Sequence, residues 1–179
     1  MGKVVLFIAM SLDGYIADRE GKVDWLAGQD PGGEDPDAYA QFIQHVDTVV
    51  MGWNTYRQVV TELSPGHWPY EGLTAYVVTH RDLPSTDRIQ FTGRDPRALV
   101  EDLRRRPGRD IWICGGACLV RQLADLIDEY DISVIPVLLG GGVPLFAPAE
   151  RAVPLELART WSCNGITELV YRRRDRRDG

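Results

Sequence analysis

The stretch DIWICGGACLVRQLADLI, residues 110–127, places a buried strand, a double-glycine turn and a helix in direct succession. Residues 110–114 form a short apolar run, as in a strand covered on both faces. Gly115 and Gly116 permit a tight turn and open a helix over 117–127. A strand that turns directly into a helix is typical of α/β proteins, so this stretch predicts a parallel sheet covered by helices.

The rest of the chain repeats this alternation. Val4–Met10 is a nearly continuous apolar run and predicts a central strand that is buried on both faces. The remaining predicted elements are strands at 48–51, 73–79, 88–91 and 131–137, and helices at 35–45, 54–63 and 96–106. The first of these helices rests on Tyr39, Phe42, Ile43 and Val46, which recur at helical spacing.

Near the end of the chain, the runs 155–162 and 167–172 flank Asn164-Gly165, a strong hairpin signal. We therefore expect an α/β fold, a three-layer α-β-α sandwich with a central mixed, mostly parallel sheet and a C-terminal β-hairpin. A single domain is predicted over residues 1–174. Residues 175–179 are expected to form a frayed, Arg-rich tail, with a phosphate-binding tail as the alternative.

Composition excludes several classes of function. A hydrophobic fraction of 44% is that of an ordinary globular protein, and the net charge of −6 argues against general nucleic-acid binding. No apolar stretch approaches the ~20 residues that a membrane helix requires. The three cysteines are too few for a disulfide framework and have no zinc-ligand spacing, so we expect a cytoplasmic protein without a bound metal.

Three glycine-bearing turns follow predicted strands, at Asp13-Gly14, at Gly52 and at Gly115-Gly116. Ligands of such sheets bind outside the carboxyl ends of the strands, which is where these turns lie. The double glycine before a helix fits either a pyrophosphate site or a tight turn that needs glycine only for packing. The spacing is not GxGxxG, so a standard Rossmann site is not predicted.

Four segments carry a resemblance to a known family. They are SLDGYIA (11–17), MGWNTY (51–56), ICGGA (113–117) and LLGGGVPLF (138–146). Together they resemble the dihydrofolate reductase-like superfamily, especially the reductase domain of bacterial riboflavin biosynthesis and its stand-alone relatives. The segments occur in the order and structural context of that family and span nearly the whole chain.

The resemblance implies an NADPH-dependent reductase, and it implies a site for each part of the cofactor. The nicotinamide would be bordered by Ala9, Ile16 and Ala17. The phosphates would be bordered by Gly52, Trp53 and Thr55, and the pyrophosphate would be held by Gly115, Gly116, Ala117 and Leu119. The adenosine ribose would lie near Thr79, His80 and Arg81.

One position departs from the family. The residue after Met51-Gly52 is usually Arg, which contacts the 2′-phosphate of NADPH, and here it is Trp53. Arg81, or alternatively Arg57 or Arg94, would supply the charge instead, because a guanidinium suits a phosphate dianion. The other interpretations are that Arg81 is a solvated loop residue and that Trp53 stacks on a ring of the cofactor or packs in the core.

The sequence defines the substrate site less well than the cofactor site. Folate reductases resemble one another in an acidic residue on the helix after the first loop, where this chain offers Glu34, Asp35 and Asp37. The resemblance makes Asp37 the candidate acid that polarises a small-molecule heterocycle, pyrimidine- or pterin-like, and relays a proton. Acidic residues also favour a helix start for structural reasons. Ile135 replaces a family threonine, which argues against folate. Two alternatives stay open: a nucleotide-binding protein without reductase activity, and a reductase acting on an unrelated small carbonyl or a flavin. The family resemblance also suggests a homodimer.

Overall fold

The computed structural model describes residues 2–30, 32–34, 37–148 and 152–174. The strands are β1 (Val4–Ser11), β2 (Tyr15–Ala17), β3 (Val46–Gly52), β4 (Thr74–Val78), β5 (Ile89–Thr92), β6 (Asp110–Gly115), β7 (Glu129–Ile135), β8 (Val143–Pro144), β9 (Leu155–Cys163) and β10 (Ile166–Arg173). The helices are α1 (Ala38–Ile43), α2 (Trp53–Gln58), α3 (Pro96–Arg105) and α4 (Ala117–Leu123).

Eight strands form one sheet in the order β5-β4-β3-β6-β1-β7-β10-β9. Neighbours run parallel from β5 to β7, whereas β10 is antiparallel to both β7 and β9. β1 lies between β6 and β7, near the middle of the sheet. The predicted mixed, mostly parallel sheet with its C-terminal hairpin is confirmed.

Alternate residues of the central strands face two different apolar cores. Leu6, Val50 and Ile113 pack with the apolar faces of α3 and α4. On the opposite side of the sheet, Met51 and Trp112 pack with aromatic residues of α1 and α2. Since side chains alternate along a strand, each strand contributes to both cores, and the fold is the predicted α-β-α sandwich.

The predicted helices differ from the structure in their bounds. The first predicted helix was assigned 35–45. Residues 35 and 36 lie outside the described residues, and α1 ends at Ile43. Val46 begins β3 instead of extending the helix. The helix predicted over 117–127 ends at Leu123, and the one predicted over 54–63 is α-helical only to Gln58, with a π-helical segment at Val59–Leu63.

The structure also contains a two-stranded sheet that the sequence did not predict. β2 pairs antiparallel with β8, so that Tyr15 lies opposite Pro144 and Ala17 opposite Val143. Strands of three and two residues are too short to produce a recognisable alternation. This pairing brings the segment after β1 against the glycine-rich loop at 140–142.

No helix in the described part of the chain is long and apolar enough to cross a membrane. The predicted tail at 175–179 lies outside the described residues.

Candidate functional site

The turns after β3 and β6 lie against each other at the carboxyl edge of the sheet. A Cβ built on Gly52 would be 3.9 Å from the carbonyl oxygen of Gly115 and 3.9 Å from the nitrogen of Gly116. A Cβ built on Gly116 would be 3.5 Å from Oγ1 of Thr55. Two turns far apart in the sequence therefore form one glycine-lined surface with a threonine hydroxyl beside it.

The two glycines after β6 have unusual backbone conformations. Gly115 has a φ of +115°, which L-residues rarely adopt, and the Gly115–Gly116 peptide bond is cis. The backbone of Gly116 then begins α4, with no side chain capping the helix. Ala117 and Leu119 are both buried, and the Leu119 side chain belongs to the core beneath α4.

Trp53 and Arg81 meet beside this surface. The Arg81 guanidinium carbon lies 4.8 Å from the centroid of the Trp53 ring, within the range of a cation–π contact. Thr79 is buried, and its hydroxyl accepts a hydrogen bond from the Arg81 backbone N–H at 3.1 Å. His80 is exposed between them. The three residues predicted near the adenosine ribose thus follow β4 together, and Arg81 brings them beside Trp53, which was predicted at the phosphates.

The other two candidate arginines lie elsewhere. Arg94 pairs with Asp102 on α3, a carboxylate that it shares with Arg105. Arg57 lies in the last turn of α2, whereas Trp53 begins that helix. Of these three arginines, Arg81 is the one whose guanidinium the structure places over the Trp53 ring.

Asp13 fixes the segment that contains Ile16 and Ala17. Its carboxylate accepts hydrogen bonds from the backbone N–H groups of Leu139 at 3.1 Å and Gly140 at 2.8 Å. The Ser11 hydroxyl donates to the same carboxylate, and this hydrogen bond holds the pKa of Asp13 below its ordinary value. The loop and the β2 segment are therefore joined as one unit.

Gly142 makes the closest approach within this unit. A Cβ built on it would lie 2.1 Å from the carbonyl oxygen of Ala17, and its φ is +139°. Glycine is required at this position for both reasons. Ala9, the third residue predicted at the nicotinamide, lies on β1 and is opposite Ser133 of β7.

Asp37 does not enter a polar cluster among the described residues. It is exposed at the start of α1, and its side chain makes no capping hydrogen bond. Asp37 was chosen for the family resemblance and for its place at a helix start, and the described residues add no contact that favours a chemical role.

The sequence patterns did not single out two buried acids, which lie on β7 and β10. Asp131 is 6% exposed and Glu168 only 1%. Oε2 of Glu168 accepts a hydrogen bond from the Ser133 hydroxyl at 2.8 Å. Oδ1 of Asp131 is buried and has no hydrogen-bond partner among the residues that the structure describes. The alternation of side chains along the strands could have predicted that both acids lie on one face of the sheet. It could not have predicted that both acids are buried there.

Burial dominates the electrostatics of this pair. It raises the pKa of Asp131 to about 6, and the neighbouring Glu168 carboxylate raises it further. Burial also raises the pKa of Glu168, against the lowering effect of the Ser133 hydrogen bond. Since Ser133 lies opposite Ala9, Glu168 is two strands away from the candidate nicotinamide position.

Comparison with known proteins gives consistent results. The family model of the RibD C-terminal domain matches residues 2–168. The uncharacterized protein YwjB of Bacillus subtilis (strain 168) is 41% identical over 172 residues, which cover 94% of this chain and 97% of that protein. The uncharacterized protein YyaP of the same organism is 29% identical over 183 residues, with 94% of each chain covered.

Two solved structures have the same architecture. A protein of Shewanella sp. PV-4, provisionally named a riboflavin biosynthesis protein, superposes with a TM-score of 0.84 at 31% identity and covers 97% of this chain and 99% of that one. The diaminohydroxyphosphoribosylaminopyrimidine deaminase/5-amino-6-(5-phosphoribosylamino)uracil reductase of Thermotoga maritima superposes with a TM-score of 0.73 at 15% identity. That match covers 97% of this chain but 57% of the longer protein, and it shows the fold alone.

Proposed function

The chain belongs to the RibD C-terminal domain family, and from that premise we propose that it is an NADPH-dependent reductase of a pyrimidine- or pterin-like small molecule. The activity most similar to the proposed one is that of a 5-amino-6-(5-phosphoribosylamino)uracil reductase. The observation that carries the proposal is the approach of the Gly52 turn to the Gly115-Gly116 turn at the carboxyl edge of the sheet. Dinucleotides bind at this edge in open α/β sheets.

The glycine-lined surface fits the backbone approach that a pyrophosphate needs. Side chains at Gly52 and Gly116 would fill the space between the two turns, since their Cβ atoms would reach 3.5–3.9 Å from the opposite turn. The Thr55 hydroxyl beside them can donate a hydrogen bond to a phosphate oxygen. The residues present therefore suit an anionic group that is held mainly by backbone.

The remaining residues would orient the cofactor. Gly52, Thr55, Gly115 and Gly116 would hold the pyrophosphate, with Ala117 and Leu119 positioning the backbone of that turn. Ile16 and Ala17 would border the nicotinamide, in a segment held in place by Asp13 and the glycine-rich loop. When bound, NADPH would supply a hydride to a C=N or C=O carbon.

The protein's own chemical contribution would be a proton for the reduced group. We propose Asp37 at the start of α1 for this role, acting on a heterocycle that lies over Ala9. The test is Asp37→Asn, which keeps the size of the side chain and removes the acid. A proton donor would show a loss of turnover with little change in NADPH affinity, whereas unchanged turnover would rule Asp37 out.

The proposed function is tested by ligand binding and then by turnover. A ligand that binds only the folded state raises the melting temperature, so NADPH should stabilise the purified protein. NADPH oxidation should then follow the addition of 5-amino-6-(5-phosphoribosylamino)uracil, measured as loss of reduced-nicotinamide absorbance. No thermal shift at millimolar NADPH would refute the cofactor assignment.

The two alternative functions give different results in the same assays. NADPH binding without oxidation by any heterocycle would favour a nucleotide-binding protein. Oxidation of NADPH by a flavin or by small carbonyl compounds, but not by pyrimidines, would favour a reductase that acts on an unrelated small carbonyl or a flavin.

We also propose that the protein acts in the cytoplasm as a homodimer. Leu155 and Leu157 are 36% and 53% exposed on the edge strand β9, and a second copy would cover them. Sedimentation equilibrium would test this, because a monomer at high micromolar concentration is incompatible with the proposed dimer.

A further inference from the structure

A cleft lies on the α1 side of the sheet, between α1 and the hairpin strands β9 and β10. Its volume is about 390 Å³, which is within the range of small-molecule sites. One wall consists of residues of α1 and of the turn after it, which recur at helical spacing: Ala38, Gln41, Phe42 and His45. The cleft also contains Lys3, Asp110 and Glu129, which lie at the starts of β1, β6 and β7. It therefore reaches the amino edge of the sheet, whereas the glycine-lined surface lies at the carboxyl edge.

Asp131 lines this cleft without a partner for its carboxylate. It is 6% exposed, and its Oδ1 has no hydrogen-bond partner among the described residues. Burial raises its pKa to about 6, so most molecules still hold a buried carboxylate here at neutral pH. Such a group costs stability unless a donor reaches it. Acids that are kept at this cost often occur at binding sites, where a ligand supplies the missing donor.

The other two acids of the cleft already have partners within the chain. Glu129 accepts hydrogen bonds from Nζ of Lys3 at 3.1 Å and from Nε of Arg172 at 3.0 Å. Asp110 accepts a hydrogen bond from the backbone N–H of Lys3 at 2.8 Å. Asp131 is therefore the acid of the cleft that is left for a ligand.

Arg159 brings a positive charge to the same cleft. Arg159 and Asp131 lie opposite Val170 from its two sides, so their Cα atoms are about 10 Å apart on one face of the sheet. The guanidinium carbon of Arg159 is 4.6 Å from the centroid of the Trp161 ring, and such stacking leaves the N–H groups free at the edge. No acid in the described part of the chain forms an ion pair with Arg159.

We propose that this cleft binds a small zwitterion, with an ammonium group on Asp131 and a carboxylate on Arg159. An ammonium group donates the hydrogen bonds that Asp131 lacks, and a carboxylate accepts two N–H groups of a guanidinium. Arg159 would repel a simple cation and Asp131 would repel a simple anion, so neither fits both residues. The apolar side chains of Val5, Phe42 and Val170 line the cleft and suit a short methylene chain between the two charged ends.

The experiment compares three probes that share a four-carbon chain: 4-aminobutanoate, butylamine and butanoate. Each is titrated into wild-type protein, Asp131→Asn and Arg159→Ala, and binding is followed by NMR at the backbone amide of Val170. We expect wild-type protein to bind 4-aminobutanoate at least about 10-fold more tightly than either singly charged probe, because each contact is charge-assisted. Asp131→Asn should abolish the preference over butanoate, and Arg159→Ala should abolish the preference over butylamine.

Glu168→Gln and Arg97→Ala are the matched controls. Glu168 is the neighbouring buried acid but does not line the cleft, and Arg97 pairs with Asp125 in the α3–α4 layer. Each control removes the same charge as the corresponding cleft variant, so a general effect of net charge would appear in both. Thermal unfolding checks that every variant is folded.

A preference for 4-aminobutanoate that disappears in the two cleft variants and survives in the two controls supports the site. The cleft does not bind such a ligand if the three probes bind equally, or if no probe shifts the Val170 amide at tens of millimolar. Wild-type affinity of Asp131→Asn for 4-aminobutanoate would also overturn the assignment. NADPH is proposed to bind at the opposite edge of the sheet, so Asp131→Asn should bind it as wild-type protein does. The zwitterion site can therefore fail while the proposed function stands.

Discussion

The carboxylate of Asp13 accepts a hydrogen bond from the backbone N–H of Gly140 at 2.8 Å, which ties the turn after β1 to the glycine-rich loop. The two residues are 127 positions apart in the chain. A second hydrogen bond from Leu139 reinforces the link. The loop and the β2 segment that borders the proposed nicotinamide position therefore depend on one side chain.

Replacement of Asp13 by alanine should release this link. We expect the amides of Leu139 and Gly140 to exchange with solvent at least about 10-fold faster, because local opening replaces two hydrogen bonds. Hydrogen-exchange NMR or mass spectrometry would detect the change. Asp18→Ala is the matched control, since Asp18 accepts from the amides of Glu20 and Lys22 within its own turn. Equal exchange in Asp13→Ala and wild-type protein would contradict the prediction.

The hydrogen bonds from Leu139 and Gly140 to Asp13 should weaken only when the pH falls far enough to protonate the Asp13 carboxylate. The folded state lowers the pKa of Asp13, first through the Ser11 hydrogen bond. The stabilisation is therefore present above the unfolded value of about 4 and is lost only as the pH falls through the lower, folded value. Exchange of the Gly140 amide, corrected for its intrinsic rate, should stay slow at pH 5. An opening between pH 7 and pH 5 would be inconsistent with this pKa.

Gly142→Ala should destabilise the protein by roughly 2–4 kcal/mol, because the new Cβ would collide with the Ala17 carbonyl and the backbone φ is positive. Gly140→Ala is the control in the same loop. Its φ is +66° and nothing lies within 4 Å of its Cβ, so we expect a cost of only about 1 kcal/mol. Urea unfolding measures both values. Similar costs at the two positions would argue against the close approach of Gly142.

Gly52→Ala should separate binding from stability. The Gly52 backbone has a φ of −81°, and its Cβ would make only ordinary contacts at 3.9 Å. We therefore expect the free energy of unfolding to change by less than about 1 kcal/mol. NADPH binding should nevertheless weaken, because the methyl group occupies the proposed pyrophosphate surface. If Gly52→Ala binds NADPH as tightly as wild-type protein does, the pyrophosphate does not bind at this surface.

Asp131→Asn should stabilise the protein at pH 8 and have little effect at pH 4. Burial and Glu168 raise the folded pKa of Asp131 to about 6, whereas the unfolded value is about 3.9. The folded state thus favours the protonated acid, and this stability is lost as the pH rises through 6. We expect a gain of about 1–2 kcal/mol at pH 8 in urea unfolding. A loss of stability at pH 8 would mean that the carboxylate has a favourable partner.

The sequence was sufficient to predict the layers of the fold, because Val4–Met10 and the 110–114 run have the composition of strands buried on both faces. It misplaced the end of α1 because Val46 satisfies two patterns: it continues the helical spacing of Tyr39 and Phe42 and also begins a buried strand. The spacing alone does not distinguish them, since either structure buries the side chain.

The candidate site was harder to predict from the sequence than the fold was. Family resemblance located Gly52, Trp53 and Arg81 as candidates, but the stacking of Arg81 on Trp53 joins residues from different elements and needs the folded chain. Asp131 lies within a predicted strand, yet its burial depends on packing across the sheet. Such contacts arise between elements and leave no periodic signal in the sequence.

The central position of β1 has a consequence for synthesis on the ribosome. β1 is made first, but its neighbours are β6 and β7, so Val4 and Val5 pair with Ile111 and Glu129. At translation rates of about 5–20 residues per second, this apolar strand waits roughly 5 to 20 seconds for its first partner. During that interval β1 is exposed without its neighbours in the sheet, and a chaperone bound to β1 would protect it from aggregation.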